Sequence, residues 1–400
     1  MTVTWLFDRK NKYGFLPNLI KDDTLKPNTK QWWDLCINPP YAYEFRFLRY
    51  CHLDKVQQFA SLVSDIWETP AYYPININYF DPNIDYFSYM DPKSLEMLKQ
   101  GRFRVLFYYS EGDDPTLDII DNLNKSTTAH GISMENVKFT TANGLIGDTH
   151  PFIYFPDDEL YYRYLHAHNS NFVREVNLES RDKLFTCLNR ADKLWRKVFC
   201  STMYSLNLFD DSYFSYTGFK YDMPNSDTET IEEWQAIDED LSSNIAAFEL
   251  QMPYHCDDLT DADHNNHKFI NTDFYANAYW NVVVETQFKQ QTVFLTEKTF
   301  KPILNLQPFV IVGNAYSLKM LKQLGYKTFG NIISEEYDEI TNSEERMREI
   351  LTVLYSISNR SNKDQMNMIN LMKEILEYNQ QHFIKPKVQR INNYLSKLEY

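Results

Sequence analysis

Residues 279–313 read YWNVVVETQFKQQTVFLTEKTFKPILNLQPFVIVG, and their pattern decides the fold class. Tyr279–Glu285 is a short apolar run rich in valine, a buried strand that ends on a carboxylate. Thr296 can then cap a helix that opens with Glu297, Lys298 and Thr299, and Pro302 kinks or shortens it. Pro308–Val312 is a further buried strand, stopped by Gly313-Asn314. Strand, helix, strand in this order is a βαβ unit and predicts a parallel sheet.

The same grammar extends in both directions. Upstream, Leu184–Leu188 (LFTCL) reads as a strand. Asn189-Arg190 then turn the chain into a helix with apolar positions Leu194, Trp195, Val198, Phe199 and Met203. Downstream, Ser317 opens a short helix carrying Leu318, Leu321 and Leu324, Gly325 closes it, and Tyr326–Phe329 is the next expected strand. The first half repeats the theme. Phe103–Tyr109 (FRVLFYY) is followed by a turn at Ser110–Pro115 and a helical pattern at Leu117, Ile120 and Leu123. Strands at Val137–Thr140 and Phe152–Phe155 come next. Residues 1–100 are aromatic-rich and show no clean period. From Glu344 to Tyr400 the pattern is helical, broken near Lys385-Pro386. The predicted class is α/β, with an N-terminal domain over 1–178, a C-terminal domain over 179–343, and a helical tail over 344–400 packing across the two.

Composition sets the outer limits. Four hundred residues with 43% hydrophobic and 24% charged side chains make a globular chain long enough for two domains. Only 10 residues are glycine, and neither a G-x-G-x-x-G turn nor a P-loop is present, which excludes nucleotide sites built on those loops. The five cysteines are scattered without a C-x-x-C pair and read as reduced core thiols. No secretory leader and no apolar run of membrane-spanning length are visible, so a cytoplasmic location is expected.

The net charge of −15 is unevenly spread. Residues 222–263 hold 13 acidic side chains and no Lys or Arg, which reads as a solvated loop or helix face. Residues 181–197 and 285–330 each carry a net +4. An anion held in a crevice needs local positive charge whatever the total.

In open α/β sheets ligands bind beyond the carboxyl ends of the strands, beside helix N-termini. Glu285, the start Thr296-Glu297-Lys298, and Gly313-Asn314 all fall there. A helix N-terminus suits phosphate, Lys298 adds a full charge, and Glu285 or Glu297 can accept from sugar or ribose hydroxyls. The pattern describes a pocket for a nucleotide diphosphate bearing a sugar. The same residues also fit a plainer reading, with Glu297 offsetting the helix dipole and Lys298 a solvated surface charge.

The run from Glu285 through Thr296-Glu297-Lys298 to Pro308–Gly313 resembles the donor-binding half of fucosyltransferase-like and exostosin-like glycosyltransferases. The continuation LKQLGYKTFGNIISEEYDEI (321–340) resembles glycosyltransferase-like proteins of bacteriophages. Two features depart from the family pattern: the longer interval from Glu285 to Glu297, and Lys301-Pro302 within the helix. The resemblance implies two Rossmann-like domains facing a cleft (the GT-B architecture), with donor in the C-terminal domain and acceptor mainly in the N-terminal one. It implies a metal-independent hexosyl- or pentosyltransferase with no tightly bound cofactor and a nucleotide-diphosphate sugar as donor. By the same resemblance Glu297 and Lys298 hold the donor ribose and diphosphate, Glu285 contacts sugar or ribose, and a basic residue of Asn189–Arg196 neutralises phosphate, Arg196 before Arg190.

An inverting transfer also needs a general base for the acceptor hydroxyl. The candidates at the end of the first-half strand are Glu111, then Asp113 or Asp114, with Asp148 and His150 a weaker option; each also fits a turn or cap role. His255–Asp258 with Asp261, Asp263, His264 and His267 suggests a metal site, but the spacing matches no zinc pattern and the stretch follows no buried strand. Asp157-Asp158, which do follow an apolar strand, are the better match to a D-x-D metal pattern, and His166-x-His168 is read as a surface or satisfied polar contact. The acceptor is a glycan or a hydroxylated small molecule, or hydroxymethylated DNA bases if the enzyme acts in a phage-infected cell. An inactive binding protein with the same fold is the competing class.

Overall fold

The computed structural model describes residues 4–5, 71–76, 85–90, 92–108, 116–147, 151–167, 171–219, 230–257, 270–289, 291–385, 393–394 and 396–398. The chain divides into two compact units, Met1–Tyr164 with Pro386–Tyr400, and Leu165–Lys385.

The first unit holds a five-stranded sheet of β1 (Thr4–Trp5), β2 (Ala71–Asn76), β3 (Arg104–Tyr108), β4 (Val137–Thr141) and β5 (Phe152–Tyr154). The strands lie in chain order and every pairing is parallel. Helix α1 (Pro92–Lys99) precedes β3, α2 (Thr116–His130) links β3 to β4, and α3 (Asp157–Ala167) follows β5. Alternate residues of β3 and β4 (Val105, Phe107, Val137, Phe139) meet Ile119 and Leu123 of α2 in one core, as a two-residue strand period against a helical period requires. The C-terminal residues complete this unit. Tyr394 and Thr140 share a hydrogen bond of 2.7 Å, the Tyr394 ring lies 4.4 Å from that of Phe155, and the Tyr72 hydroxyl donates to the Leu398 carbonyl at 2.8 Å.

The second unit is built on β6 (Lys183–Ala191), α4 (Leu194–Ser205), β7 (Ser212–Phe219), α5 (Leu241–Glu249), α6 (Thr272–Asn277), β8 (Ala278–Val284), α7 (Glu297–Leu304), β9 (Phe309–Val312), α8 (Ser317–Gln323), α9 (Ser343–Ser358) and α10 (Asn362–Ile384). Its sheet is parallel with strand order β7-β6-β8-β9. Strands β8 and β9 are buried at every position, which is why they read as unbroken apolar runs. Helix α4 buries Trp195, Val198, Phe199 and Met203, and α5 packs on it through Leu241, Ile245 and Phe248. The described part of the acidic stretch is thus a helical segment with a buried apolar edge and its charges outside.

Several expectations are revised. Tyr326–Phe329 is not a strand. It pairs with no strand, and side chains take several of its backbone groups: Asn379 accepts from Lys327 N and donates to Lys327 O, both at 2.8 Å, and Glu335 accepts from Phe329 N. Strand β7, an aromatic segment on the sheet edge, has no counterpart among the expected strands. Helix α8 does begin at Ser317, but its first turn is capped by Asp338, which accepts from Leu318 N at 2.7 Å and Lys319 N at 2.9 Å. The helical C-terminal region has an additional break at Asn359–Ser361, where Ser361 caps α10. Helix α10 belongs to the second unit, held by Trp280 Nε1 donating to Gln365 and by Gln380 donating to Leu304 O. Cys187 and Cys200 are buried free thiols, and burial pushes Cys187 up to about 12; Cys36 and Cys51 lie outside the described residues. Among the described residues no helix is long and apolar enough to cross a membrane.

Candidate functional site

From β6 the chain passes through α4 to β7 on one side, then returns across the sheet to β8 on the other. The loops leaving β6 and β8 therefore diverge at their carboxyl ends, the position where open α/β sheets form a binding crevice. In the first unit the described strands run in sequential order and contain no such reversal. Among the described residues, the strand-order reversal belongs to the second unit.

Glu285 directly follows β8 and is 1% exposed. Its Oε1 accepts from Thr296 N at 3.1 Å and Thr299 Oγ1 at 2.6 Å, and its Oε2 from Thr296 Oγ1 at 2.6 Å and Thr286 N at 3.2 Å. Four donors from its own chain surround the carboxylate. Glu285 therefore staples the start of α7 to the end of β8, and direct contact with a sugar or ribose would require giving up one of these bonds. Thr296 caps α7 as expected, accepting from Lys298 N at 3.4 Å.

Three cations converge on Glu285-Thr286. Lys298 Nζ donates to Thr286 Oγ1 and Thr296 Oγ1, each at 3.2 Å, and lies 3.4 Å from Glu297 Oε1. Lys193, in the loop after β6, donates to Thr286 O at 3.0 Å. Arg196, in the first turn of α4 and 4% exposed, donates through Nη2 to Glu285 O at 2.6 Å. Lys298 retains 30% side-chain exposure and Glu297 16%, so both remain reachable from solvent. Arg196 is enclosed and carries its charge beside the Glu285 carbonyl. The loop between β8 and α7 is held by the buried Arg346, whose guanidinium donates to Phe288 O and, at 3.0 Å, to Gly313 O.

The remaining sequence candidates are distributed unequally. Gly313 is closely packed: a Cβ there would lie 3.3 Å from Glu285 Cβ and 3.2 Å from Ile311 Cγ2, so a larger residue would need those neighbours to shift by a few tenths of an ångström. Asn314 beside it is 5% exposed, with an Oδ1 that forms no hydrogen bond among the described residues. Arg190 is not brought to Glu285; it lies on the β7 side of β6, its guanidinium 3.8 Å from the Phe219 ring centre. Glu111, Asp113, Asp114, Asp148 and His150 lie outside the described residues, as do Asp258, Asp261, Asp263, His264 and His267. Among the described residues no group of three or more His, Cys, Asp or Glu side chains is placed to hold a metal ion. Lys193 and Thr286 were not singled out from the sequence. The available signal was their position directly after two neighbouring parallel strands.

No protein-family model matches the chain, and no curated protein matches it. Among solved structures it is similar to an α,α-trehalose-phosphate synthase (UDP-forming) from Burkholderia vietnamiensis. The identity is 10% and the TM-score 0.30, over 83% of this chain and 67% of that chain. A likeness of that extent decides neither the fold nor the function of this chain.

Proposed function

We propose that the chain is a glycosyltransferase that moves a sugar from a nucleotide-diphosphate donor to an acceptor hydroxyl, with the donor diphosphate in the crevice of the second unit. The observation that carries this reading is the convergence of Lys193, Arg196 and Lys298 on Glu285-Thr286 at the strand-order reversal and the N-terminus of α7. A diphosphate leaving group gains negative charge as the glycosidic bond breaks, and fixed cations at that point lower the barrier. Lys298 touches the diphosphate, Lys193 and Arg196 supply the surrounding charge, and Glu297 accepts from ribose. Glu285 and Thr296 hold the helix start in place. Glu111 or Asp113 is the proposed base for the acceptor, and the chemistry needs no metal.

The test is calorimetry and thermal shift with UDP, GDP, ADP, CMP and their sugars. Wild type is expected to bind at least one diphosphate or its sugar. Lys298→Ala should weaken that binding by about tenfold or more and slow transfer on the order of a hundredfold. Wild-type turnover in Lys298→Ala would discredit the assignment, and the absence of any nucleotide binding would favour a non-enzymatic binding protein.

A further inference from the structure

Within the second unit, the short 3-10 helix Ile231–Ile237, the loop after β8 and the start of α9 border a cavity of about 230 Å³, lined by Glu233, Trp234, Lys289, Asn342, Ser343 and Glu344. Its walls are fixed by packing. Phe288 stacks on Trp195 with ring centres 5.1 Å apart and meets Trp234 at 6.0 Å, and Arg346 of α9 holds the Phe288 carbonyl. Lys289 pairs with Glu233, its ammonium 5.6 Å from the centre of the Trp234 ring. Two groups of the lining residues are left over. Trp234 is 1% exposed, yet its Nε1 makes no hydrogen bond among the described residues. Glu344 has an enclosed Oε1 that is likewise unpartnered there. That carboxylate is not spent on capping α9, because Asn342 does so by accepting from Glu345 N at 2.9 Å. A buried donor and a buried acceptor left unpaired are costly, and together they call for an occupant that the chain itself does not supply.

We propose that this cavity binds a neutral polyhydroxylated molecule about the size of one sugar ring. An indole N–H can only donate and an ionised carboxylate can only accept, so the occupant must bring an acceptor and a donor together. A hydroxyl group is both. A simple anion offers no donor to Glu344, and an ammonium offers no acceptor to Trp234. Lys289 is matched by Glu233, so Glu344 leaves the lining with a net negative charge, which further disfavours anions. The volume falls below the roughly 300–1,000 Å³ of sites for larger ligands, and the indole supplies an apolar wall beside its polar edge. The residues differ from those assigned to the diphosphate, Lys193, Arg196 and Lys298, so the inference adds a site to the donor reading and does not depend on it.

The test titrates the full chain with glucose, galactose, mannose and inositol, and with inorganic phosphate, ethylamine and uracil as comparators. Calorimetry gives the affinities, and the indole N–H resonances report the site, that of Trp234 being identified by its loss in Trp234→Phe. At least one neutral polyol is expected to bind saturably and to shift the Trp234 resonance. Glu344→Gln, which keeps the shape of the side chain, should weaken that binding by about fivefold, and Trp234→Phe by about threefold or more. If Trp234→Phe does not fold, Glu344→Gln carries the comparison, with Glu344→Ala expected to lose about tenfold or more. A Trp234 resonance that no neutral polyol moves, affinities unchanged in the variants, or a stronger response to phosphate, ethylamine or uracil would each overturn the proposal. All of these outcomes leave the donor reading to its own nucleotide titrations.

Discussion

A glutamate at the end of a buried strand can satisfy its charge by reaching a ligand or by gathering donors from its own chain. Glu285 does the second. Its position after Val282–Val284 was legible in the sequence, but the identity of its partners was not, because Thr296 and Thr299 lie eleven and fourteen residues further on. A cluster of threonines around the next helix start was the available clue. Removing the carboxylate would strand two hydroxyls and two N–H groups without their acceptor. Glu285→Ala is therefore expected to cost roughly 2–4 kcal/mol, read as a lowered urea midpoint with unchanged slope. An unaltered midpoint would mean that the staple carries no net stability. Lys298 shows the converse case. The sequence placed it at a helix start, and the fold turned its ammonium back towards Thr286, where Lys193 also points.

Elements were most legible where one local rule sufficed. Strands β6, β8 and β9, the capped helix α7 and the apolar face of α4 all follow from runs, caps and period. Tyr326–Phe329 differs from its expectation because a short aromatic run is equally compatible with a strand and with a segment whose backbone bonds to side chains. Nothing local announces that Asn379, 52 residues later, will present both halves of a peptide-like hydrogen-bond pair to Lys327. Asn379→Ala should destabilise the second unit by about 1–3 kcal/mol. Amide exchange should accelerate first at Lys327, and exchange there at the wild-type rate would refute this account of the segment. Strand β7 is not legible for a related reason: five of its eight residues stay partly exposed on the sheet edge, which erases the apolar run that marks a central strand.

At the scale of the whole chain, two parallel sheets form in separate units, and the final residues pack with the unit formed first in sequence. Tyr394 and Leu398 reach Thr140 and Tyr72 after more than 250 residues of intervening chain. Deleting residues 386–400 is expected to raise amide exchange in β3 and β4 while β8 and β9 stay protected, as measured by exchange with mass spectrometry. Faster exchange confined to β8 and β9 would contradict this assignment of the terminal segment. The sequence by itself determined the α/β class, the parallel pairing and the capped start of α7, because these depend on periods and caps spanning a few residues. Tertiary structure alone decided the strand order β7-β6-β8-β9, and with it the meeting of Lys193 and Arg196 with a loop about ninety residues away. Strand order depends on which buried faces pack together across the sheet, and no local pattern records that choice.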